Sequence, residues 1–198
     1  DRFLVTAKAY DVPVVIVVNK VDLLPTDDEY LQGYCFLYRS LGYEVITCSV
    51  VTGEGMALLQ EKIAGKVSLL AGNSGVGKSS FLNALDASLE VKTGAISKVH
   101  QTGMHTTTYA EMFAVAGGRM IDIPGIKGFG LIDMEAAEIG HYFPEIFKHG
   151  ANCKFADCLH RNEPDCAVRK AVETHLISQS RYQSYLSILE DISAGKYR

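Results

Sequence analysis

The sequence predicts a doubly wound α/β fold over residues 1–130 and a small, mostly helical domain over residues 131–198. Three observations support this division. Short runs of β-branched residues alternate with segments of helical periodicity, as in a sheet whose strands are joined by helices. A glycine-rich stretch directly follows one of these strands. After Gly130 the strand patterns stop, and aromatic residues and cysteines become frequent.

The first half of the α/β region contains two strand patterns and three helix patterns. Val14–Val18 is a continuous β-branched run, which is typical of a parallel strand buried on both faces. Gly42 and Gly65 follow helical patterns and mark where those helices end. The predicted helices cover residues 2–10, 30–41 and 56–64, and the predicted strands cover residues 14–18 and 44–48.

The second half continues the alternation. Residues 92–107 lack periodicity, so we expect a mobile loop there. Gly117-Gly118 separates two strand patterns and is a favourable hairpin turn. The predicted strands cover residues 67–71, 108–116 and 119–123, and a helix is predicted over residues 78–85.

Two helices are predicted near the carboxyl end, over residues 166–178 and 180–192. Ser180 and Gln183 have the spacing of a capping box for the second helix. That helix carries a stripe of apolar and aromatic side chains at helical spacing, which predicts packing against a core and not a ligand site. The stripe consists of Tyr182, Tyr185, Leu186 and Leu189.

Composition narrows the classes of function. No apolar run approaches the roughly 18–20 residues of a membrane span, and no leader pattern is recognisable, so we expect a cytoplasmic monomer without a membrane partner. The net charge is −4, and neither residues 1–150 nor residues 151–198 carry a strongly basic balance. The number of cysteines is five, and an odd number in a sequence without a leader pattern argues against a disulfide framework. Cys35 and Cys48 are expected to be buried thiols.

The glycine-rich stretch GNSGVGKSS satisfies the phosphate-loop pattern G-x-x-x-x-G-K-[ST] in full. In such a loop, backbone N–H groups surround the phosphates, the lysine reaches the β- and γ-phosphates, and the serine hydroxyl binds Mg²⁺. The predicted phosphate-binding residues are Gly72, Asn73, Ser74, Gly75, Val76, Gly77, Lys78, Ser79 and Ser80.

A second motif, Asn19-Lys20-Val21-Asp22, follows the first predicted strand. The Asp22 carboxylate can accept hydrogen bonds from N1–H and the 2-amino group of guanine, a donor pair that adenine lacks. The Lys20 stem can cover the base, and Asn19 can brace the loop. Ser49-Val50 follows another strand end and can offer a backbone N–H to guanine O6. Together with the phosphate loop, these residues predict specificity for guanine nucleotides.

A third motif, Asp122-Ile123-Pro124-Gly125, has the D-x-x-G form that lies beneath a γ-phosphate. We expect Asp122 to hold Mg²⁺ through water and the Gly125 N–H to contact the γ-phosphate. One threonine of residues 106–108 should complete the Mg²⁺ shell, and we favour Thr107. The position after Gly125 is Ile126, which cannot orient water, so His105 is the candidate for that task.

The fourth constellation is Cys153-x4-Cys158-x-His160-x5-Cys166. Three thiolates and one imidazole form a closed tetrahedral set that suits Zn²⁺ better than Mg²⁺ or Ca²⁺. Because no ligand position stays open, we expect one structural zinc ion that stabilises a segment too small to bury its own core.

These motifs resemble the circularly permuted GTPases of the RsgA/YjeQ type, which depend on the small ribosomal subunit. The resemblance implies a P-loop GTPase domain of circularly permuted topology followed by a zinc-binding domain. It also implies GTP hydrolysis stimulated by the small subunit during late maturation, contacts with rRNA, and His105 as the catalytic histidine. The resemblance rests on DRFL at 1–4, NKVDL at 19–23, TGEG at 52–55, GNSGVGKSS at 72–80, HTTT at 105–108, DIPG at 122–125, FPEI at 143–146 and the cysteine segment at 153–166.

The resemblance also implies elements that would precede Asp1. These are an oligonucleotide-binding barrel and a strand that lies between the strands at 14–18 and 67–71. Direct pairing of those two strands would contradict the expectation of an intervening strand.

Two other functions remain open from the sequence. The first is a GTP-gated module that binds RNA or protein and in which hydrolysis is incidental. The second is a P-loop kinase or ATPase, against which Asn19 and Asp22 argue.

Overall fold

The structure is a computed structural model that describes residues 1–89, 91, 111–122 and 134–195. It divides into two compact units. The first, here called the helical unit, consists of residues 1–14, 33–44 and 129–198, and the second, the sheet unit, consists of residues 15–32 and 45–128. The units interleave along the chain, so the boundary near residue 130 that the sequence indicates stays a prediction. In the described ranges, no helix combines the length and apolar character needed to span a membrane.

The helices and strands mostly follow the predicted order. The helices of the described residues are α1 (Arg2–Ala9), α2 (Glu29–Ser40), α3 (Met56–Ile63), α4 (Lys78–Leu85), α5 (Ala136–Ile139), α6 (Pro144–Gly150), α7 (Ala167–Glu173) and α8 (Gln179–Ser193). The strands are β1 (Val15–Val18), β2 (Glu44–Thr47), β3 (Val67–Leu70), β4 (Glu111–Val115) and β5 (Gly118–Asp122). The short helices α5 and α6 have no counterpart among the predicted helices.

The described strands form two sheets, β1–β2 and β3–β5–β4. Strand β5 runs parallel to β3 and antiparallel to β4, which places it in the middle of the three-stranded sheet. Strands β1 and β3 do not pair with each other in the part of the chain that the structure describes. The expectation of an intervening strand is therefore not contradicted and stays a prediction.

The prediction that the first strand is buried on both faces is wrong for the described structure. Val15 and Val17 on β1 are 36% and 40% exposed, while their neighbours along the strand are partly buried. A run of β-branched residues reports a preference for extended backbone. Burial depends on which elements pack on each face, and that information is absent from the run itself.

The hairpin between β4 and β5 turns one residue earlier than the sequence predicts. Its turn residues are Ala116 and Gly117, with φ of 48° and 71°, so both adopt the left-handed conformation. Gly118 is the first residue of β5 and pairs with Val115. A Cβ atom on Gly118 would lie 2.2 Å from the Ile63 carbonyl oxygen. This glycine is therefore required by close backbone packing and not by the turn.

The sheet unit has one apolar core among its described residues, between α3, α4 and the strands. Its buried members come from α3, α4, β2, β4 and β5, together with Cys48. The buried residues are Ile46, Cys48, Met56, Leu59, Ile63, Phe81, Leu82, Val115 and Met120.

The helical unit has a separate core. The stripe on α8 packs into it as predicted, with Tyr182, Tyr185 and Leu189 buried and Leu186 partly buried. The buried residues of this core are Val5, Ile139, Phe143, Ile146, Cys166, Val168, Ala171, Val172, Ile177, Tyr182, Tyr185, Ile188 and Leu189.

The predicted capping box at the start of α8 is wrong. The helix begins at Gln179 with Ser178 as its N-cap, and no side chain caps it. Ser180 therefore lies in the first turn, where its hydroxyl pairs with the Ser178 hydroxyl at 2.9 Å. The preceding helix, α7, ends at Glu173 because His175 adopts a left-handed conformation with φ of 60°, which cannot continue a helix.

Arg181 on α8 joins three stretches of the helical unit. Its Nε donates to Glu145 Oε1 at 2.6 Å, and its Nη1 donates to Asp1 Oδ1 at 2.6 Å. Tyr38 on α2 donates its hydroxyl to the same Asp1 oxygen at 2.9 Å. The guanidinium also lies over the Phe143 ring at 4.5 Å. The contacts with Glu145 and Asp1 are ion pairs, so their hydrogen bonds are of the strong, charge-assisted kind, and the burial of Arg181 and Glu145 shields them from water.

The close packing of Gly118 predicts a large effect of a single methyl group. We expect Gly118→Ala to lower the free energy of unfolding by about 1–3 kcal/mol, because the added atom would overlap backbone oxygens that cannot rotate away. Urea denaturation followed by circular dichroism measures this loss.

Gly33→Ala in α2 is the matched control. A Cβ atom there meets nothing within 4 Å, and the residue lies in the interior of a helix. We expect this substitution to leave stability unchanged or to raise it by about 0.5–1 kcal/mol. Equal destabilisation by both substitutions would contradict the packing of Gly118.

Candidate functional site

The glycine-rich stretch forms a loop between β3 and α4, as the sequence predicts. Gly75 and Gly77 have φ of 82° and 98°, in the region that favours glycine. Gly77 is also the N-cap of α4. A Cβ atom at Gly77 would lie 2.5 Å from the Asn19 side-chain nitrogen. The glycine thus permits the turn and lets a second motif approach the loop.

Lys78 begins α4 and folds back over the loop. Its Nζ donates to the carbonyl oxygens of Gly72 at 2.8 Å and Asn73 at 2.9 Å. The ammonium group therefore lies against the loop itself, where it can meet an anion held by the loop. Ser79 follows in the first turn of the helix.

The structure brings the Asn19-to-Asp22 motif against the phosphate loop. Asn19 Nδ2 donates to the Val76 carbonyl oxygen at 3.0 Å, and Lys20 Nζ donates to the Gly75 carbonyl oxygen at 2.7 Å. Lys20 has a left-handed backbone with φ of 69°, and its N–H donates to Asn19 Oδ1 at 2.8 Å. Two motifs that are more than fifty residues apart in sequence are therefore joined by two direct hydrogen bonds.

Val21 and Asp22 lie in a short 3₁₀ helix, Val21–Leu23, directly after this contact. The Asp22 side chain is exposed to solvent, so its carboxylate is free to accept hydrogen bonds from a ligand. The Val21 N–H donates to the Cys48 carbonyl oxygen at 3.3 Å, which ties the motif to the end of β2.

The stretch after β2 is the third component. Ser49 is fully buried, and its hydroxyl accepts hydrogen bonds from the N–H groups of Val51 at 3.2 Å and Thr52 at 3.1 Å. This hydroxyl shapes the turn that carries Val50. The residue before Ser49, Cys48, contacts both Val21 and Asn19, so this turn lies beside the Asn19 motif.

Cys48 contributes more than the buried thiol that the sequence predicts. It is fully buried, as expected, and its Sγ also donates to Asn19 Oδ1 at 3.5 Å. Burial raises the pKa of this thiol, so it remains a protonated donor at neutral pH. The sequence feature that could have predicted this contact is the position of Cys48 directly after a strand, since Asn19 also directly follows a strand.

Asp122 lies at the end of β5, and the parallel register pairs it with Leu70 at the end of β3. This register places Asp122 beside the start of the phosphate loop. Its Oδ1 is buried and has no hydrogen-bond partner among the described residues. Burial raises the pKa of the carboxyl, while the Lys78 ammonium acts in the opposite direction. A buried carboxylate oxygen without a partner next to a phosphate loop is suited to a hydrated cation.

Several predicted site residues lie outside the described residues. These are His105, Thr107, Gly125 and the neighbouring Ile126.

The four predicted metal ligands come together in the helical unit. Cys153 Sγ and Cys166 Sγ are 3.8 Å apart, and they lie 3.6 Å and 3.4 Å from His160 Nδ1. With Cys158, all four ligand atoms lie within 4.8 Å of one another. A tetrahedral zinc site with bonds of about 2.3 Å to sulfur and about 2.0 Å to nitrogen needs separations of about 3.8 Å and about 3.5 Å. The cluster can therefore hold one metal ion with little rearrangement.

The chemistry of the cluster also fits a cation. Burial raises the pKa of Cys158 to about 12 and raises the pKa of Cys166, while it lowers the pKa of His160. Without a cation, the thiols are held as neutral S–H groups. A metal ion supplies the positive charge that stabilises the thiolates.

The sequence pattern of one family, described as RsgA GTPase, matches residues 1–132. The chain belongs to the RsgA GTPase family. A relative from Bacteroides fragilis, the small ribosomal subunit biogenesis GTPase RsgA, is 59% identical over 200 residues. The protein of the same name from Porphyromonas gingivalis is 49% identical over 203 residues. Each match covers 100% of this chain and 64% of the relative, so the chain spans just under two thirds of these RsgA proteins.

Solved structures support the same assignment. YjeQ from Thermotoga maritima has a TM-score of 0.75 and 36% identity, covering 96% of this chain and 63% of the solved one. YloQ, a circularly permuted GTPase, has a TM-score of 0.74 and 31% identity, and the match covers 100% of this chain and 63% of the solved one. The predicted fold class, a circularly permuted P-loop GTPase fold with a small helical part that carries a metal cluster, is confirmed.

The metal cluster makes a direct prediction about stoichiometry. We expect the purified protein to carry about one equivalent of bound metal, measured by inductively coupled plasma mass spectrometry. Cys166→Ala should lose the metal, because a closed four-ligand site does not tolerate removal of one thiolate.

Cys35→Ala is the matched control. Cys35 is also a buried free cysteine of the helical unit, but it lies on α2 and outside the cluster. This variant should retain its metal. Retention of metal by Cys166→Ala would contradict the ligand set.

Proposed function

We propose that this protein binds GTP, hydrolyses it to GDP and phosphate, and acts in late maturation of the small ribosomal subunit. The observation that carries the proposal is the pair of hydrogen bonds from Asn19 and Lys20 to the Val76 and Gly75 carbonyls. A phosphate loop alone selects no base. The direct contact between the loop and an Asn-Lys-x-Asp motif supports this proposal, in which Asp22 is the carboxylate that reads guanine.

In the proposed complex, one group of residues binds the guanine base and another binds the phosphates. Asp22 accepts from guanine N1–H and the 2-amino group, and the Lys20 stem covers the base. Val21 and Asn19 hold that loop in place. The Ser49 N–H donates to the Glu54 carbonyl oxygen at 3.0 Å, so Val50 offers its backbone N–H toward O6 and Ser49 shapes the turn that carries it. The phosphates are held by the backbone of residues 72–80 and by Lys78, which would exchange its present carbonyl partners for phosphate oxygens.

Mg²⁺ belongs to the proposal as the partner of the phosphates, whose charge it neutralises. Ser79 and Thr107 would supply hydroxyl ligands, and Asp122 would accept from a coordinated water. The buried Asp122 oxygen without a partner among the described residues supports this assignment. Gly125 would contact the γ-phosphate through its N–H.

Hydrolysis requires a group that orients water. Ile126 follows the D-x-x-G motif and has no polar atom, so it cannot do this. We assign the role to His105, whose neutral imidazole can accept a proton from water.

The proposal of a ribosomal partner is based on the names of the relatives. Relatives that are 59% and 49% identical to this chain are named small ribosomal subunit biogenesis GTPases. We propose the same partner here, with contacts to its rRNA and action in the cytoplasm as a monomer. We also propose Zn²⁺ as the resident ion of the Cys153, Cys158, His160 and Cys166 cluster, on the basis of its donor set and spacing.

The proposed cycle is a switch driven by the γ-phosphate. GTP orders the segments that touch the γ-phosphate, and this state binds the subunit. Contacts with the subunit place His105 and water, and hydrolysis then releases the protein.

Base specificity tests the proposal most directly. Asp22→Asn should weaken GTP binding by about ten- to a hundredfold, because a charge-assisted pair of hydrogen bonds is lost. The same variant should gain affinity for XTP, whose carbonyl at C2 can accept from the new amide. Fluorescence titration with labelled GTP and XTP, and competition with ATP, measures both changes.

Asp27→Asn is the control, since Asp27 is another exposed carboxylate a few residues further along the same stretch. It should leave both affinities unchanged. Equal competition by ATP and GTP in the unmodified protein would favour the kinase or ATPase alternative.

The ribosomal role is tested by turnover of GTP in the full-length protein with and without small subunits. We expect subunits to raise the rate at least tenfold and His105→Ala to remove most of that stimulation. The exposed His141 serves as a control, and His141→Ala should keep the stimulation. If His105→Ala abolishes turnover while the protein still leaves the subunit at the normal rate, the GTP-gated binding module is the better description.

A further inference from the structure

The metal cluster is held by helix α8, which supplies none of the four ligands. Tyr182 donates its hydroxyl to the His160 carbonyl oxygen at 2.5 Å. One turn later, Tyr185 donates its hydroxyl to the Leu159 carbonyl oxygen at 3.0 Å. Both tyrosines are buried, so these bonds are shielded from water. Two consecutive peptide carbonyls, at and beside a metal ligand, are thus fixed by one helix.

The backbone at His160 needs such support. His160 has φ of 58°, in the left-handed region that residues other than glycine adopt at a cost. In this conformation His160 Nδ1 lies 3.6 Å from Cys153 Sγ and 3.4 Å from Cys166 Sγ. Relaxation of His160 to an extended or right-handed conformation would turn the imidazole away from the cluster.

The N–H group of Leu159 is fixed as well as its carbonyl group. Its N–H donates to Glu163 Oε1 at 2.8 Å, and Glu163 Oε2 accepts from the Asn162 N–H at 3.0 Å. The peptide groups on both sides of Leu159 are therefore fixed, one by a carboxylate from the same loop and one by Tyr185. These contacts hold the backbone directly before His160.

We propose that Tyr182 and Tyr185 are positioning residues of the metal centre, which act through the carbonyl groups of His160 and Leu159. They touch no metal and supply no ligand atom. Their hydroxyls hold the left-handed backbone that presents the imidazole to the ion, as outer-shell hydrogen bonds do in other metal sites. The inference rests on the proposed metal site and goes beyond it, because the sequence alone assigns these two side chains only to core packing.

Tyrosine-to-phenylalanine substitutions separate the two roles. Both rings belong to the apolar core, and phenylalanine keeps that packing. Only the oxygen that reaches the metal-binding loop is removed. A packing role predicts unchanged metal affinity, and a positioning role predicts weaker binding.

The test is a Co²⁺ titration of the metal-free protein, followed by the thiolate-to-cobalt and ligand-field absorption bands. We expect Tyr182→Phe and Tyr185→Phe each to weaken Co²⁺ binding by about tenfold. The ligand-field bands should also shift, because the imidazole no longer sits at one tetrahedral position.

Tyr38→Phe is the matched control. It removes a buried tyrosine hydroxyl of the same unit that donates a hydrogen bond of 2.9 Å, but to Asp1 and not to the metal-binding loop. Its Co²⁺ affinity and spectrum should equal those of the unmodified protein. Urea denaturation with and without Co²⁺ gives an independent readout: the tyrosine variants should lose more stability in the loaded state than in the free state.

The outcomes are distinct. If the unmodified protein shows no cobalt–thiolate band, the metal site and this inference both fail. If the unmodified protein binds Co²⁺ and the phenylalanine variants match it in affinity and spectrum, the inference alone is overturned. Should Tyr182→Phe not fold, Tyr185→Phe and the Co²⁺ dependence of its unfolding provide the same decision.

Discussion

The buried guanidinium of Arg181 is the constraint on which the helical unit depends. A buried cation left without a partner costs about 3–5 kcal/mol, so its neighbours must supply charge and hydrogen-bond acceptors. Glu145 and Asp1 do so, and the Phe143 ring covers the remaining face. The start of the chain and the second half of α2 are thereby folded into one unit with the carboxyl-terminal helices. Along the sequence, the Asn19-to-Asp22 motif lies between these two segments of the helical unit and belongs to the sheet unit.

In the sheet unit, Asn19 has the comparable role of connecting several segments. Its amide accepts from the Cys48 thiol and the Lys20 N–H, and donates to the Val76 carbonyl. Three segments that reach the nucleotide site in the proposed function are thus connected through one side chain. Such a connected loop set costs little to order when a ligand binds, because its hydrogen bonds already exist.

The two units use different means to fix their sites. Loops in the sheet unit are held by backbone carbonyls and by glycines that permit close approach, as Gly77 does beside Asn19. The metal cluster is held by a helix whose tyrosines reach the ligand-bearing loop. In both units, residues that sequence patterns assign to packing also carry specific polar contacts. Cys48 and Tyr182 are the clearest examples, because each is buried in a core and also bonded to a motif residue.

Much of the molecule could be predicted from the sequence, since local patterns encode local structure. The glycine-rich loop, the Asn19 motif, the grouping of Cys153, Cys158, His160 and Cys166, and the order of the described strands along the chain follow from spacing and residue type alone. The family followed from the same motifs. Contacts between distant residues could not be predicted, because they depend on how elements pack. The exposed face of β1, the close approach of Gly118 to the Ile63 carbonyl and the Arg181 network are of this kind. The turn at Ala116-Gly117 and the start of α8 at Gln179 are local boundaries that differ from the predicted ones by one residue. A residue's type limits what it can bond to, but only the tertiary structure decides which partner comes within reach.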